Sequence, residues 1–369
     1  MRLSRNLLPL LMIGTASVAS ADLTFGGIRA AGMGGAGLAL PVDIGNNYRM
    51  NPAFLAFGNK NPAFQWPSLG YKLDGVNFGD LRDLVGDLSK GGLDNDAVIR
   101  IAQQFGDSNK IIGFNGNLGF KFGGFAIGGK GNVGVNSVPN ADLQTWSQGG
   151  GSLATLPPTA RLDTYGFGSQ ELEAAYGNSV RTKAGRLTVG VNLRKIKSYY
   201  AHKFADANTI QTSNSNGVAN GSGLVGDFAT KEGTGADLGV LYSPPGADNL
   251  FFGMVMENFI EPNIAFNFEA PGGGNPISAL GFDPFTRTNN FGVGLVQGKV
   301  LLAADWVDVG NRAGRQETRY GAEFSLGGST FIRAGYNSRT AFAYGISLGG
   351  FNIQLGGKIP ITLATAVRF

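Results

Sequence analysis

The chain has 369 residues, of which 60 are glycine, 26 are phenylalanine and only 15% are charged. Glycine at roughly twice its average frequency, without a strict Gly-X-Y period, excludes collagen. Together with the aromatic residues, it favours a β-barrel over a helical or α/β fold. Because there is no cysteine and only one histidine, neither a transition-metal site nor a Ser-His catalytic site has support. The sequence predicts no metal, no cofactor and no enzymatic activity.

The first 21 residues have the three parts of a secretory signal peptide. Arg2 and Arg5 precede an apolar run at residues 7–13, and residues 19–21, Ala-Ser-Ala, form a small-x-small cleavage site. The run is shorter than the roughly 20 residues that a transmembrane helix needs. Removal of the segment leaves 28 basic and 26 acidic residues, and this small excess gives no argument for nucleic acid. We therefore expect export through the Sec pathway into a Gram-negative-type envelope.

Downstream of this segment, apolar residues alternate with small or polar residues. Phe342, Tyr344 and Ile346, for example, alternate with Ala343 and Gly345. Successive side chains of a strand point to opposite faces, so each such segment has one apolar face. An even number of alternating segments is typical of outer-membrane barrels. Fourteen strands are predicted, at residues 64–76, 111–121, 125–135, 163–180, 186–199, 236–243, 250–260, 288–296, 299–309, 317–326, 330–337, 341–348, 351–356 and 361–369.

The predicted connections distinguish the two ends of this barrel. Long connections at residues 136–162, 202–235 and 261–287 alternate with short turns. Long loops face outside in such barrels, so both chain termini fall in the periplasm. Residues 79–106 carry two short helical patterns, which form either a lid in the first outer loop or part of a plug. His202 is expected to be a solvated side chain at the start of the second long loop.

A glycine-rich motif follows the predicted signal peptide. Residues 32–37 match G-x-G-x-x-G, but the strand, helix and acidic residue of a dinucleotide site are missing around them. We interpret the motif as flexible, tightly packed backbone. Residues 29–36, Arg-Ala-Ala-Gly-Met-Gly-Gly-Ala, and residues 51–53, Asn-Pro-Ala, resemble the start of the FadL-like outer-membrane transport proteins. That superfamily includes long-chain fatty-acid and toluene channels, with PorV and exported TraF-like proteins as relatives.

The resemblance implies a fourteen-stranded barrel with an N-terminal hatch in its lumen and a lateral gap through which ligand leaves. In this chain the hatch would be residues 22–63 and the barrel residues 64–369. The implied activity is passive uptake of hydrophobic compounds, either fatty acid-like or aromatic hydrocarbon. The alternative is a structural or partner barrel of a secretion or conjugation apparatus, as in the PorV or TraF-like relatives. The implied hatch and gate residues are Arg29, Gly32, Gly34, Gly35, Asn51, Pro52 and Ala53.

Two further groups of side chains are candidates for ligand contact. Apolar residues of the connection at 261–287 form either a capture patch or an ordinary loop packed on the barrel rim. The capture candidates are Phe266, Phe268, Phe282 and Phe285. Charged side chains that point into the lumen have three alternative roles: contact with a ligand head group, anchoring of the hatch, or pairing with one another. Pairing is the favoured role. They are Glu171, Glu173, Arg194, Asp305, Arg319, Glu323, Arg333 and Arg368, with one network expected between Arg319, Glu323 and Arg333.

The chain ends on an alternating strand with a terminal aromatic residue. Phe369 resembles the signal that the barrel-assembly machinery reads in bacterial outer-membrane proteins. The apolar face of the barrel is expected to contact membrane lipid. The predicted fold is therefore all-β, a transmembrane antiparallel β-barrel in the outer membrane. Its expected partners are lipid, the assembly machinery and a hydrophobic small molecule, with no nucleic acid.

Overall fold

A computed structural model gives the arrangement of much of the chain. The residues that it describes are 30, 32–41, 47–57, 62–74, 103, 106, 110–208, 229–265, 284–328, 330–339, 341–348, 351–355, 361–365 and 367–368. The predicted signal peptide, Arg29 and Phe369 lie outside them. Among the described helices, none has the length and apolar character needed to cross a membrane.

The strands form one antiparallel sheet in which each strand pairs with the next along the chain. β1 also pairs with β14 and β15, so the sheet closes into a barrel. The all-β antiparallel fold agrees with the prediction, but the count of fourteen is not confirmed, because fifteen strand segments are described. They are β1 Ala63–Asp74, β2 Lys110–Phe122, β3 Phe125–Pro139, β4 Arg161–Thr182, β5 Gly185–Asp206, β6 Ala229–Ser243, β7 Leu250–Ile260, β8 Thr288–Gln297, β9 Val300–Val307, β10 Glu317–Gly327, β11 Thr330–Asn337, β12 Ala341–Leu348, β13 Phe351–Leu355, β14 Ile361–Thr365 and β15 Val367–Arg368. The helical elements are α1 Ala141–Gln148 and 3₁₀ turns at Asn47–Arg49, Pro52–Ala56 and Leu153–Thr155.

β4 and β5, with 22 residues each, extend beyond the predicted strands. The predicted loop at residues 202–235 is wrong at both ends, because residues 202–206 belong to β5 and residues 229–235 belong to β6. Backbone pairing continues along β4 and β5 as far as Arg161 and Asp206. The apolar alternation stops earlier, and pairing between backbones does not require apolar side chains. β4 and β5 therefore extend the barrel wall past the part that shows the apolar alternation.

The connection between β3 and β4 carries α1. Asn140 caps this helix, because its side-chain oxygen accepts a hydrogen bond from the backbone N–H of Leu143 at 3.0 Å. Ser147 Oγ donates to the carbonyl of Gln103 at 2.6 Å. This contact places the end of the region at residues 79–106 beside the β3–β4 connection.

The two faces of the barrel wall differ in chemistry. Leu172 and Leu193 on the outer face are 68% and 51% exposed, whereas Glu171 and Arg194 on the inner face are buried. A broad exposed apolar surface on a closed sheet is typical of a wall that lipid covers. Other exposed apolar side chains of the strands are Leu118, Phe120, Ile127, Tyr176, Leu187, Val189, Phe252, Phe291, Leu302, Tyr320, Phe324, Ile332, Phe342 and Tyr344.

The described residues between Ala30 and Phe57 form no strand and lie against the inner face of the wall. We call them the inner segment. Apolar side chains along its whole length, from Met33 to Leu55, are buried. The inner segment approaches glycines or polar side chains of every strand from β3 to β12.

Candidate functional site

The Asn51-Pro52-Ala53 turn is fixed by one fully buried side-chain amide. Asn51 Oδ1 accepts a hydrogen bond from the backbone N–H of Ala53 at 3.0 Å, which caps the 3₁₀ turn. Asn51 Nδ2 donates to the carbonyl of Leu38 at 3.1 Å and to that of Val240, on β6, at 3.2 Å. Pro52 suits the first position of the turn because it has no N–H to satisfy. The amide thus ties two parts of the inner segment to each other and to the wall.

Three inward-facing glycines of the wall give this turn its room. A Cβ at Gly177, on β4, would lie 2.9 Å from the Pro52 carbonyl oxygen, and a Cβ at Gly239, on β6, would lie 2.7 Å from Pro52 Cδ. A Cβ at Gly190, on β5, would overlap the backbone of Pro52. Any side chain at these three positions would push the turn away from the wall.

The Gly-Met-Gly-Gly motif makes a second close contact, with β11 and β12. Gly34 and Gly35 have φ values of 67° and 85°, a backbone conformation that favours glycine. A Cβ at Gly34 would lie 2.8 Å from the backbone nitrogen of Tyr336. A Cβ at Gly32 would lie 3.1 Å from the Cα of Gly345. These glycines therefore serve a tight turn and close packing.

Side chains of β9 and β10 hold the same part of the inner segment. Asp305 Oδ2 accepts hydrogen bonds from the backbone N–H groups of Gly37 at 2.8 Å and Leu38 at 3.1 Å. Arg319 Nη1 donates to the carbonyl of Gly35 at 3.3 Å. Two of the predicted lumen-lining residues thus contact the inner segment through its backbone.

The predicted network of Arg319, Glu323 and Arg333 is wrong in one respect. Arg333 Nε donates to Glu323 Oε2 at 2.6 Å, but Arg319 Nε donates to Glu317 Oε1 at 2.5 Å instead. Arg319 and Glu323 are four positions apart on one strand, which separates them by about 13 Å along its axis. Arg319 pairs with the nearer carboxylate, two residues away on the same face. Arg333 Nη1 also donates a hydrogen bond to Ser347 Oγ, at 2.7 Å.

Arg49 forms an ion pair between the inner segment and the wall. Its Nε lies 2.5 Å from Glu173 Oε2, and the two side chains are 1% and 0% exposed. Arg49 also donates to the Leu118 carbonyl at 2.8 Å and to Asn117 Oδ1 at 3.2 Å. Burial alone would lower the pKa of Arg49, but the Glu173 carboxylate outweighs it and raises that pKa, so the guanidinium stays charged. Arg49 is not among the residues predicted from the sequence, because no periodic pattern marks a partner 124 positions away.

Further buried charges lie beside this pair, on β3 to β6. Arg194 lies 3.0 Å from Glu171 and 2.9 Å from Asp237. Lys130 Nζ lies 3.1 Å from Glu171 and 3.4 Å from Glu173. Together with the arginine of the inner segment, three cations face three carboxylates. The inward charges of this region therefore pair with one another, as the alternation predicts.

Phe285, one of the predicted capture residues, belongs to a buried apolar cluster. It packs against Phe167, on β4, with ring centroids 6.4 Å apart, and the cluster also contains Ile196, Tyr200 and Ile264. The cluster joins the connection after β7 to the inner face of β4 and β5. The other capture candidates, Phe266, Phe268 and Phe282, lie outside the described residues.

His202 lies in β5 and not in a loop. Its ring stacks on that of Tyr165 with centroids 4.5 Å apart, and its Nε2 lies 2.8 Å from Asp163 Oδ1. The side chain is 7% exposed, so the prediction of a solvated histidine is wrong. Cross-strand pairing with Tyr165 brings His202 into the wall, beside the apolar cluster.

No family model and no curated protein matches the chain. Among solved structures, the "TodX deltaS2S3 mutant monoaromatic hydrocarbon channel" aligns with a TM-score of 0.53 at 12% identity, over 94% of this chain and 100% of its own. The deltaS2 mutant of TodX aligns with a TM-score of 0.50 at 11% identity, over 94% and 97%. The chain has the fold of the FadL-type outer-membrane channels. A structure of the P. putida toluene transporter TodX aligns with a TM-score of 0.45 at 11% identity, over 94% and 96%.

The FadL-type fold confirms the resemblance carried by residues 29–36 and 51–53. The described ladders between β2 and β5 run without a shift in register. They therefore contain no interruption that matches the lateral gap implied by the resemblance. Shifts in the described ladders occur between Gln65 and Ser68, between Ala236 and Leu238, and between Ser325 and Gly327.

Proposed function

We propose that the protein is an outer-membrane channel for passive uptake of hydrophobic compounds, with the inner segment as its hatch. One observation carries this proposal. The inner segment contacts every strand from β3 to β12, yet it contributes no strand to the sheet. Many of its hydrogen bonds to the wall involve single side chains, such as Asn51, Arg49 and Asp305. It can therefore move without breaking the ladders that close the barrel.

The proposed location in the outer membrane is supported by two properties of the barrel wall. Closure of the sheet satisfies the backbone hydrogen bonds, as a membrane requires, and the outer face is broadly apolar. In this proposal, a signal peptide at residues 1–21 directs export, residues 22–63 form the hatch and residues 64–369 form the barrel. Phe369 would then address the chain to the barrel-assembly machinery.

The proposed cargo is a fatty acid-like molecule or an aromatic hydrocarbon. The buried cluster around Phe167 and Phe285 is apolar and lies against the inner face, and Tyr165 and His202 add polar groups beside it. The two TodX variants with the same fold are described as monoaromatic hydrocarbon channels. Because movement follows the concentration gradient, the proposal requires no energy source.

Uptake into vesicles tests the transport proposal. The protein is folded into phosphatidylcholine vesicles, and entry of a labelled fatty acid and a labelled alkylbenzene is followed separately. We expect faster entry of at least one compound than into vesicles that carry heat-denatured protein. If neither compound enters vesicles with the folded protein faster than vesicles with the denatured protein, the transport proposal is overturned.

A disulfide lock tests the hatch separately. The chain has no cysteine, so a designed pair would form its sole disulfide. A Cβ at Gly253, on β7, would lie 3.1 Å from Ala39 Cβ and 2.8 Å from the Leu38 carbonyl oxygen. A local shift of under about 1 Å would relieve this contact and give the separation of about 3.8 Å found in a disulfide. The oxidised Ala39→Cys/Gly253→Cys variant should lose uptake relative to the same variant after reduction, which serves as the matched control for any shift that the Gly253 side chain itself causes. Normal uptake in the oxidised double variant would mean that the inner segment is not the gate.

A structural or partner barrel of a secretion or conjugation apparatus is the second candidate. The observation that favours it is the ionic network of Lys130, Glu171, Arg194 and Asp237, which occupies the inner face with paired charges. A lumen closed by such pairs would suit a scaffold more than a pore. Equal uptake rates in the vesicle experiment would leave this candidate as the favoured function.

A further inference from the structure

A cavity of about 610 Å³ opens on the outer face of the wall, across β2 to β6. Gly116, Gly129 and Gly131 line it without side chains, and the exposed Leu118 and Leu172 give it apolar sides. The room exists because the three glycines are neighbours across β2 and β3.

The packing of the protein itself does not require glycine at two of these positions. A Cβ at Gly129 would meet nothing nearer than the Glu171 carbonyl oxygen at 3.6 Å, and a Cβ at Gly131 nothing nearer than the Ser169 carbonyl oxygen at 3.7 Å. Both are ordinary contact distances, and neither glycine has a positive φ. Glycine inside a strand weakens it and often marks a close approach by a ligand. A molecule outside the protein is the remaining candidate for the space.

The rim of the cavity is cationic. Lys195 and Lys197 line it from the outer face of β5. Lys197 Nζ lies 3.8 Å from Glu232 Oε1, a long contact between exposed groups. None of the described residues forms an ion pair with Lys195. Two lysines against one carboxylate favour an anionic ligand.

The cavity also lies where the outer face changes from apolar to polar. Along β5, the outward side chains Leu187, Val189 and Leu193 are exposed and apolar, and the next two outward positions are the lysines. On β4 the change falls beside Leu172, where Gln170 is the next outward residue towards the long connections. In a membrane, acyl chains meet the apolar part and head groups meet the polar part.

We propose that this cavity binds a membrane lipid with an anionic phosphate head group. An acyl chain would lie over Gly129 and Gly131 against Leu172, and the phosphate would lie between Lys195 and Lys197. The site rests on the proposed membrane location, and it is independent of the cargo and of the hatch.

Lipid quenching in vesicles tests the site. Ala174, on the outer face of β4 next to Leu172, is changed to cysteine and labelled with a fluorophore, since the chain has no other thiol. Quenching by brominated phosphatidylglycerol is compared with quenching by brominated phosphatidylcholine. A juxtamembrane lysine contributes about fivefold in affinity for anionic lipid, so a preference of about fivefold or more for phosphatidylglycerol is expected.

Matched variants assign the preference to the cavity. Lys195→Gln/Lys197→Gln should abolish the preference, and Gly131→Leu, which fills the cavity without a backbone clash, should reduce it as well. Lys183→Gln, in the exposed turn between β4 and β5, should retain it. Glycerol phosphate in the buffer should not displace the lipid, because it lacks an acyl chain.

Each contrary result has a defined meaning. A wild-type protein that inserts but shows no preference overturns the lipid site and leaves the channel proposal intact. The same holds if Lys183→Gln loses the preference as strongly as the double variant, or if glycerol phosphate abolishes it. A protein that fails to insert into vesicles overturns both proposals.

Discussion

The buried pair of Arg49 and Glu173 gives a quantitative test of how the inner segment is held. Glu173→Gln keeps the size of the side chain but leaves Arg49 with neutral acceptors such as the Leu118 carbonyl. Removing one partner of a buried ion pair costs about 3–5 kcal/mol. Arg49→Gln should cost less, because Glu173 keeps Lys130 at 3.4 Å. We therefore expect a larger effect from Glu173→Gln than from Arg49→Gln.

The free energy lost in Glu173→Gln should favour release of the inner segment from the wall, since Arg49 is the charged contact of that segment with β4. A loss of about 3 kcal/mol raises the released population about 150-fold. Sugar efflux from reconstituted vesicles measures the open lumen, and limited proteolysis measures exposure of the segment. Arg49→Met/Glu173→Leu should leak less than Glu173→Gln, because it leaves no unpaired charge at these two positions. If Glu173→Gln leaks no more than the wild type and resists protease equally, the pair does not hold the segment.

Three other substitutions, one of them with a matched control, test separate contacts. Gly190→Ala should destabilise the protein in urea unfolding by about 1–3 kcal/mol, because the new Cβ overlaps the backbone of Pro52, whereas Gly129→Ala on the outer face should not. Asn51→Ala should cost about 1–3 kcal/mol because it removes the hydrogen bonds of the Leu38 carbonyl and the Ala53 N–H, and unchanged sugar efflux would contradict its role in holding the segment. Phe285→Ala should slow hydrocarbon uptake without raising sugar efflux, and unchanged uptake would remove the cluster from the route.

Strand positions were predictable where aromatic and small residues alternate strictly. The predicted strands at 250–260, 330–337 and 341–348 have the same bounds as β7, β11 and β12. The ends of β5 and β6 were not predictable, because apolar and polar side chains do not alternate strictly at residues 200–206 and 229–235. The alternation records which side chains meet an apolar environment, whereas strand length depends on backbone pairing.

The backbone contacts of the candidate site were more predictable than its charge pairs. Gly34 and Gly35 carry a local signal, since their positive φ values require glycine. The partner of Arg49 has no such local signal, because Glu171 and Glu173 both face inward and either carboxylate could pair with the guanidinium. The choice depends on where the inner segment docks, and that position is fixed by many weak contacts spread over the chain.

Gly128 and Gly129 show why composition alone could not separate the two kinds of glycine. They are neighbours on β3, and strand geometry sends any side chain at the two positions to opposite faces. A Cβ at Gly128 would overlap Tyr48 and Arg49, so the inner segment requires that glycine. A Cβ at Gly129 would meet only ordinary contacts on the outer cavity. The two glycines therefore serve two surfaces, one fitted to the inner segment and one on the outer face of the wall, and only the register of the barrel assigns each glycine to its surface.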